Sequence, residues 1–545
     1  MGCQDANHDP SDPYSGADQQ VDVLTYHNDN FRTGQNLSER RLTPKNVAPA
    51  SFGKLFTVPV DGKVDAQPLY VSGLAMGNSS KRNVVYAATE HDSVYAFDAA
   101  TGKVFWKKTA LGSGETPSDP LNCGQIIPEI GITSTPVVDK GIGPHGTIYV
   151  VAMSKDAQGK YHQRIHALDL VTGEEELGGP VEIQASYPGT GQEINKGGRV
   201  IFDPKQHEDR AALLLSRGVI YTSWSSHCDI EPYTGWVIGY DAHTLKQTAV
   251  FNLSPHGTEA AVWNSAAGPA ADAQGNIFLA VGNGTFDTTL NKQGFPDKAD
   301  FGNAALKLAP QPGRSPDNAL KAVDYWTMYN TVQESYDDMD LASGGIVLLP
   351  DLRDSSGNMR QLAAAAGKDQ NIYVLDRNNM GKFNPNNNST IYQELPRALG
   401  GREYGELAWF NGRVYIGAVG DYIRAYDVTN AKLSSSPVST SANKFPYPGT
   451  NPVVSADGTR NAILWAFDNA APAHVGYKPH VPAVLRAYDP RNLKTEYYDS
   501  KQAGNRDYIG NGNKFITPTV ANGRVYLGTM DSVIAFGLLS QNGSK

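Results

Sequence analysis

Apolar residues fall along this chain in short runs, and the order of runs and turns repeats. In the stretch NVVYAATEHDSVYAFDAATGKVFW, residues 83–106, an apolar run at 84–88 is followed by the polar turn Glu90-His91-Asp92-Ser93. A second run at 94–97 leads to the tight turn Ala99-Ala100-Thr101-Gly102, and a third opens at Val104. Short runs bounded by turn formers predict three consecutive antiparallel strands. A sheet this small cannot bury its own faces, so one copy should not fold alone, whereas stacked copies would.

Copies are present. The first run recurs as Gly146-Thr147-Ile148-Tyr149-Val150, Gly218-Val219-Ile220-Tyr221, Gly275-Asn276-Ile277-Phe278-Leu279, Gly412-Arg413-Val414-Tyr415-Ile416 and Gly523-Arg524-Val525-Tyr526-Leu527. The second run, closed by Asp, recurs as His166-Ala167-Leu168-Asp169, Ile238-Gly239-Tyr240-Asp241, Tyr373-Val374-Leu375-Asp376, Arg424-Ala425-Tyr426-Asp427 and Arg486-Ala487-Tyr488-Asp489. Two weaker first runs lie at 361–370 and 462–467. This makes eight units, spaced by roughly 50 to 85 residues against the ~40–50 of compact propeller repeats, so the excess is loop.

The two ends of the repeat region are complementary. Residues 52–60 form a strand with no second run after it, and the last unit stops at Leu539 before its outer strand. An N-terminal strand completing the last unit would close a ring. The expectation is an all-β, eight-bladed β-propeller of four-stranded antiparallel blades, spanning 21–545 after a flexible tether at 1–20. Seven blades or an open solenoid are the alternatives. Residues 21–37, with Tyr26 and Phe31, are expected on the outside of the body. The insertion at about 285–340 is too long for a blade turn and is expected to form a lid over the mouth.

Composition narrows the function. A net charge of −9 and no basic run argue against nucleic acid. The start, Met1-Gly2-Cys3 followed by a polar tract, looks like a mature bacterial lipoprotein chain, lipidated at Cys3 and anchored in the cell envelope; an arbitrary start with an accidental cysteine is the other reading. Cys123 and Cys228 form an even pair in loops that would project from one face, as a disulfide or as two free thiols.

The segment Ala96-Phe97-Asp98-Ala99-Ala100-Thr101-Gly102-Lys103-Val104-Phe105-Trp106 resembles the repeat of pyrroloquinoline quinone-type propellers, the quinoprotein alcohol dehydrogenase-like superfamily. In that family the Trp docks between neighbouring blades near the Thr-Gly turn. Only the first unit carries the whole pattern; Asp169-Leu170-Val171-Thr172-Gly173 keeps the turn without the Trp. The resemblance implies a quinone over a Trp with calcium beside it, as in the family's dehydrogenases, or a protein-binding scaffold, as in its outer-membrane lipoproteins. The adjacent cysteine pair of many such dehydrogenases is absent, so this would be a divergent group.

In this topology the connections into each inner strand and the turns between second and third strands meet at one mouth. Those segments are rich in acidic, amide and aromatic residues, which suits a cation, a polyhydroxylated ligand or a quinone. The candidate ligand-binding residues are Glu129, Trp224, His227, Trp263, Asn264, Asp340, Glu403, Tyr404, Glu406 and Lys514. Asp and Asn after a strand are ordinary turn formers, and Trp224 and Trp263 also suit packing between blades. Two functions follow as expectations. One is an exported, monomeric propeller that binds a small molecule, glycan or envelope protein at its loop-rich face. The other is an alcohol or sugar dehydrogenase using pyrroloquinoline quinone and calcium.

Overall fold

The structure, a computed structural model, describes residues 20–77, 81–265, 267–469 and 482–540. Cys3 and the tether up to residue 19 therefore lie outside the described residues. Eight antiparallel sheets stand around an axis, making an eight-bladed β-propeller. The inner strands, in chain order, are Leu69–Ala75, Val137–Asp139, Leu214–Ser216, Ala270–Ala271, Ile346–Leu348, Ala408–Phe410, Val453–Asp457 and Thr519–Ala521. Both weaker first runs are second strands of blades, at Leu362–Ala366 and Arg460–Asp468.

The ring closes as the chain ends predict. Phe52–Pro59 pairs antiparallel with Ser532–Leu538, Phe52 opposite Leu538 and Pro59 opposite Ser532, and so supplies the outer strand of the last blade. Phe52 is fully buried among Trp465, Tyr498 and Phe536, so the closing strand is held by aromatic packing as well as by its ladder. Burying such a ring contributes roughly 1.5–3 kcal/mol.

The repeat residues have physical jobs. Each blade is covered on both faces by its neighbours, so its middle strands are apolar throughout: Val84, Val85 and Tyr86 are all buried. The repeated Tyr of the second strand donates its hydroxyl to a carbonyl in a turn of the next blade. Tyr86 reaches Leu170 O, Tyr149 reaches Ala242 O, Tyr415 reaches Pro490 O and Tyr526 reaches Ala99 O, at 2.7–2.9 Å. The repeated Asp holds the turn that receives it: Asp98 Oδ1 accepts from the backbone N–H of Ala100 and Thr101, and Asp169 Oδ1 from those of Val171 and Thr172. Trp106 lies on the next blade's turn, where a Cβ on Gly173 would stand 2.8 Å from its ring, and its indole N–H donates to Leu170 O. With φ at +69°, Gly173 also occupies the left-handed region, so glycine is required twice over.

The N-terminal segment is not on the outside. Between Val23 and Asn36 it circles the axis and makes at least one hydrogen bond to every blade. Val23 N–H donates to Tyr70 O, and the N–H groups of Val138, Ala271, Leu348, Trp409 and Val454 donate to Leu24, Asn30, Phe31, Thr33 and Gly34 O. Asn30 and Asn36 give their side-chain amides to Leu215 O and Val520 O. Within this ring Arg32 is fully buried and donates to Pro269 O, Leu213 O, Tyr26 O and Thr25 Oγ1. The segment was expected on the outside of the body; it lies at the axis because it pairs the N–H groups of the inner strands with its carbonyls, and inner-strand carbonyls with its own donors.

The long insertion divides. Phe286, Phe295 and Phe301 pack against Tyr325 and, for Phe301, Phe251 of the neighbouring outer strand, and Tyr325 Oη donates to Gly294 O. Residues 285–301 thus lie on the outer rim rather than over the mouth, because three phenylalanines find buried apolar surface there. The part that follows Leu320–Thr327 does reach the mouth, through Asp338 and Asp340.

Candidate functional site

A cavity of about 310 Å³ lies at the mouth, within the usual range for small-molecule sites. Its walls come from the connections into the inner strands and from two turns between second and third strands. Three aromatic rings follow one another along one wall. Tyr404 meets Tyr447 edge to face at 5.6 Å between centroids, and Tyr447 meets Phe515 at 6.4 Å. The guanidinium of Arg210 then sits 5.8 Å from the ring centres of both Phe515 and Trp263. Arg210 Nε donates to Glu208 Oε1 at 3.1 Å, which holds the fork between the rings.

The facing wall is ionic. Lys368 Nζ lies 2.5 Å from Asp338 Oδ1 and 2.5 Å from Asp340 Oδ2. Burial works against its charge, but Asp340 and Asp338 outweigh it and hold the ammonium above its ordinary range. Arg402 approaches Asp338 at 3.9 Å, and Lys368 also stands 6.0 Å from the Tyr404 ring. Asn283 ties this wall together: its backbone N–H donates to Asp340 Oδ1 and its amide to Asp338 Oδ1, while its own Oδ1 is buried with no donor among the described residues.

Cys228 lines the cavity and is joined by a disulfide to Cys123, with 5.5 Å between the Cα atoms. The bond fixes the 110–131 connection, and so Gln125, at the edge of the cavity.

The ten sequence candidates separate into three groups. Trp263, Asp340 and Tyr404 line the cavity, and Lys514 lines a small pocket beside it. Asn264, Glu403 and Glu406 are buried behind the wall, each with side-chain atoms that have no partner among the described residues. Ser343, which lines the cavity, donates its hydroxyl to Glu403 O, and Glu403 Oε1 accepts from Gly405 N–H. Burial pushes the Glu403 carboxyl up to about 8 and Glu406 well above its ordinary range, Arg32 opposing the latter. Glu129, Trp224 and His227 do not line the cavity. Glu129 pairs with His91 at 2.8 Å. Trp224 is wholly buried against Phe202, its indole N–H given to Thr222 Oγ1. His227 is buried 3.4 Å from Glu208. Arg210, Gln125 and Tyr447 were missed. Arg210 stands in the connection into the third blade, one of the segments expected to meet at the mouth, and that position was the signal that could have found it.

The sequence profile described as outer membrane protein assembly factor BamB, a pyrroloquinoline quinone-type repeat family, matches residues 28–176. No curated protein matches the chain. Among solved structures, the quinohemoprotein alcohol dehydrogenase from Comamonas testosteroni is similar at a TM-score of 0.63 and 14% identity, over 98% of this chain and 82% of that one. A europium-containing methanol dehydrogenase aligns at 0.48 and 14% identity, over 94% and 82% of the two chains. BamB from Moraxella catarrhalis aligns at 0.45 and 13%, over 89% and 99%. Likeness at these identities bears on the fold, and the first carries the argument. The chain has the eight-bladed β-propeller fold, and its residues 28–176 match a pyrroloquinoline quinone-type repeat profile.

Proposed function

We propose that this protein binds a small, planar, anionic molecule in the mouth of the propeller, in the cell envelope. The observation that carries the reading is the wall on which Arg210 is held between Trp263 and Phe515 beside Tyr447 and Tyr404. Flat rings offer stacking area at low entropic cost, and a guanidinium whose described protein partner is a single carboxylate oxygen has donors left for a ligand.

Pyrroloquinoline quinone is the first molecule to try. It is flat and polyanionic, and Trp263, Arg210, Tyr404 and Arg402 are the residues that would hold it. Bound there, it would supply a two-electron oxidant for an alcohol or sugar. Calcium fits less well. Asn283 Oδ1 is a buried acceptor without a donor among the described residues, but the neighbouring carboxylates of Asp338 and Asp340 already share the Lys368 ammonium. Among the described residues no group of three acidic, His or Cys side chains is arranged to hold a metal. No step runs through calcium, and ligand binding is the function that the aromatic and Arg210 wall supports. A protein partner at the same face is the second reading; its support is the match of residues 28–176 to the assembly-factor profile.

Thermal unfolding with pyrroloquinoline quinone, with and without calcium, tests the proposal, because a ligand that binds only the folded state raises the melting temperature. A saturable rise that is lost in Trp263→Ala supports it. Equal rises in wild type and Trp263→Ala would move the ligand elsewhere.

A further inference from the structure

A side pocket of about 20 Å³ opens beside the mouth cavity, sharing Gln125, Arg210 and Phe515 with it and floored by Lys63, Asp65 and Lys514. That is room for about one water molecule or one small polar group. Two of the three cations here have an acid of their own. Lys63 Nζ lies 3.0 Å from Asp65 Oδ2, and Arg210 Nε lies 3.1 Å from Glu208 Oε1. Lys514 has none among the described residues: its ammonium donates to a neutral amide oxygen, Gln125 Oε1, at 2.7 Å.

The charges do not balance. With Lys514 protonated, the set Lys63, Arg210, Lys514, Asp65 and Glu208 carries one positive charge too many. Nearby Glu90 is a poor counter-ion, since burial and the adjacent Asp65 carboxylate push its carboxyl up. Burial, then the like charges of Arg210 and Lys63, push the Lys514 amine down to about 7 against the opposing pull of Asp65 and Glu208. A buried cation without an anion is costly, and the protein provides a cavity where an anion would go.

We propose that the side pocket receives one carboxylate of the molecule bound in the mouth, that this carboxylate is the counter-ion of Lys514 with Arg210 as its second donor, and that Lys514 takes a proton from solvent as the ligand arrives. This rests on the mouth being a site for a planar anion. It adds a specificity: the ligand carries a carboxylate at the edge of its ring, placed to reach past Phe515. A tetrahedral phosphate or sulfate is a poorer match to a pocket this narrow. Binding then depends on pH. Below about pH 7 the lysine is charged before the ligand arrives and affinity is level. Above it, each bound carboxylate must bring a proton, so affinity falls by up to about tenfold per pH unit until the bound-state lysine itself titrates.

The probe is trimesate, a planar benzene tricarboxylate, titrated calorimetrically into wild type, Lys514→Gln and Lys514→Arg in two buffers of different ionisation enthalpy, after melting curves confirm that each variant is folded. The expected result is proton uptake approaching one per trimesate at pH 8 in wild type. Lys514→Gln should bind about tenfold or more weakly at pH 7 with no uptake, and Lys514→Arg, a permanent cation, should bind without uptake and without the fall above pH 7. Equal affinity in wild type and Lys514→Gln with no proton uptake would overturn the proposal and leave the mouth site standing. Failure of both trimesate and pyrroloquinoline quinone to bind wild type would remove the mouth site and this inference together. Wild-type proton uptake needs no variant, so it decides the matter even if substitution at 514 disturbs folding.

Discussion

Lys368 bridges Asp338 and Asp340, its ammonium 2.5 Å from a carboxylate oxygen of each. Asp340 is 3% exposed, so its charge depends on this partner. Lys368→Met should cost about 3–5 kcal/mol in urea unfolding, because it strands a buried carboxylate. Adding Asp340→Asn to it should recover much of the loss. A cost below ~1 kcal/mol would mean that the ionic wall is solvated and adaptable.

The ring drawn by residues 23–36 makes Arg32 its keystone. Arg32→Ala removes four hydrogen bonds and leaves the carbonyls of Leu213 and Pro269 without that donor. A loss of about 3 kcal/mol or more is expected in denaturant unfolding, since hydrogen bonds to a charged group are worth ~1.5–3 kcal/mol each and the partners stay buried. Arg32→Lys should recover only a part, as one ammonium cannot span the same four acceptors.

Glu403 sets a pH dependence of stability. Burial raises its carboxyl to about 8 in the folded protein, from an ordinary value of 4.5. The folded state therefore holds a proton that the unfolded state has released between these two values, and the contribution of Glu403 to stability falls with rising pH across that window, by up to about 1.4 kcal/mol per unit, then levels off above pH 8. Glu403→Gln, isosteric and uncharged, should flatten this part of the profile and stabilise the protein more at pH 8 than at pH 5. Parallel wild-type and variant profiles from pH 5 to pH 8 would contradict the assignment.

The Cys123–Cys228 disulfide closes a loop of 105 residues. Replacing both cysteines by serine should cost about 4–5 kcal/mol on the chain-entropy account. Because the 110–131 connection carries Gln125, the partner of Lys514, ligand affinity should fall in the same variant. A stability loss with unchanged affinity would separate the two roles.

Much of the fold was legible because repeats expose their own logic. Tyr86, Tyr149, Tyr415 and Tyr526 recur at one position because each reaches the next blade, and Asp98 and Asp169 recur because each closes the turn that is reached. The complementary ends, Phe52–Pro59 and Ser532–Leu538, made closure readable as well. The site was harder. Trp263, Asp340 and Tyr404 could be found from the topology of the mouth, but Trp224, in the strand Val219–Ser226, and His227, just after it, were equally suggestive and turn inward to Thr222 and Glu208. Arg210 was missed because only the assembled mouth shows that Trp263 and Phe515, 252 residues apart in the numbering, flank it. The course of residues 23–36 around the axis was not legible, since a segment that bonds to eight blades has no period of its own.

The most direct test of the mouth site is an equilibrium titration of the intact protein with pyrroloquinoline quinone, followed by tryptophan fluorescence in wild type, Trp263→Phe and Arg210→Ala. The account predicts saturable quenching at one site per chain in wild type, with affinity reduced about tenfold or more in Arg210→Ala and quenching much diminished in Trp263→Phe. The same quenching and affinity in all three proteins would contradict it.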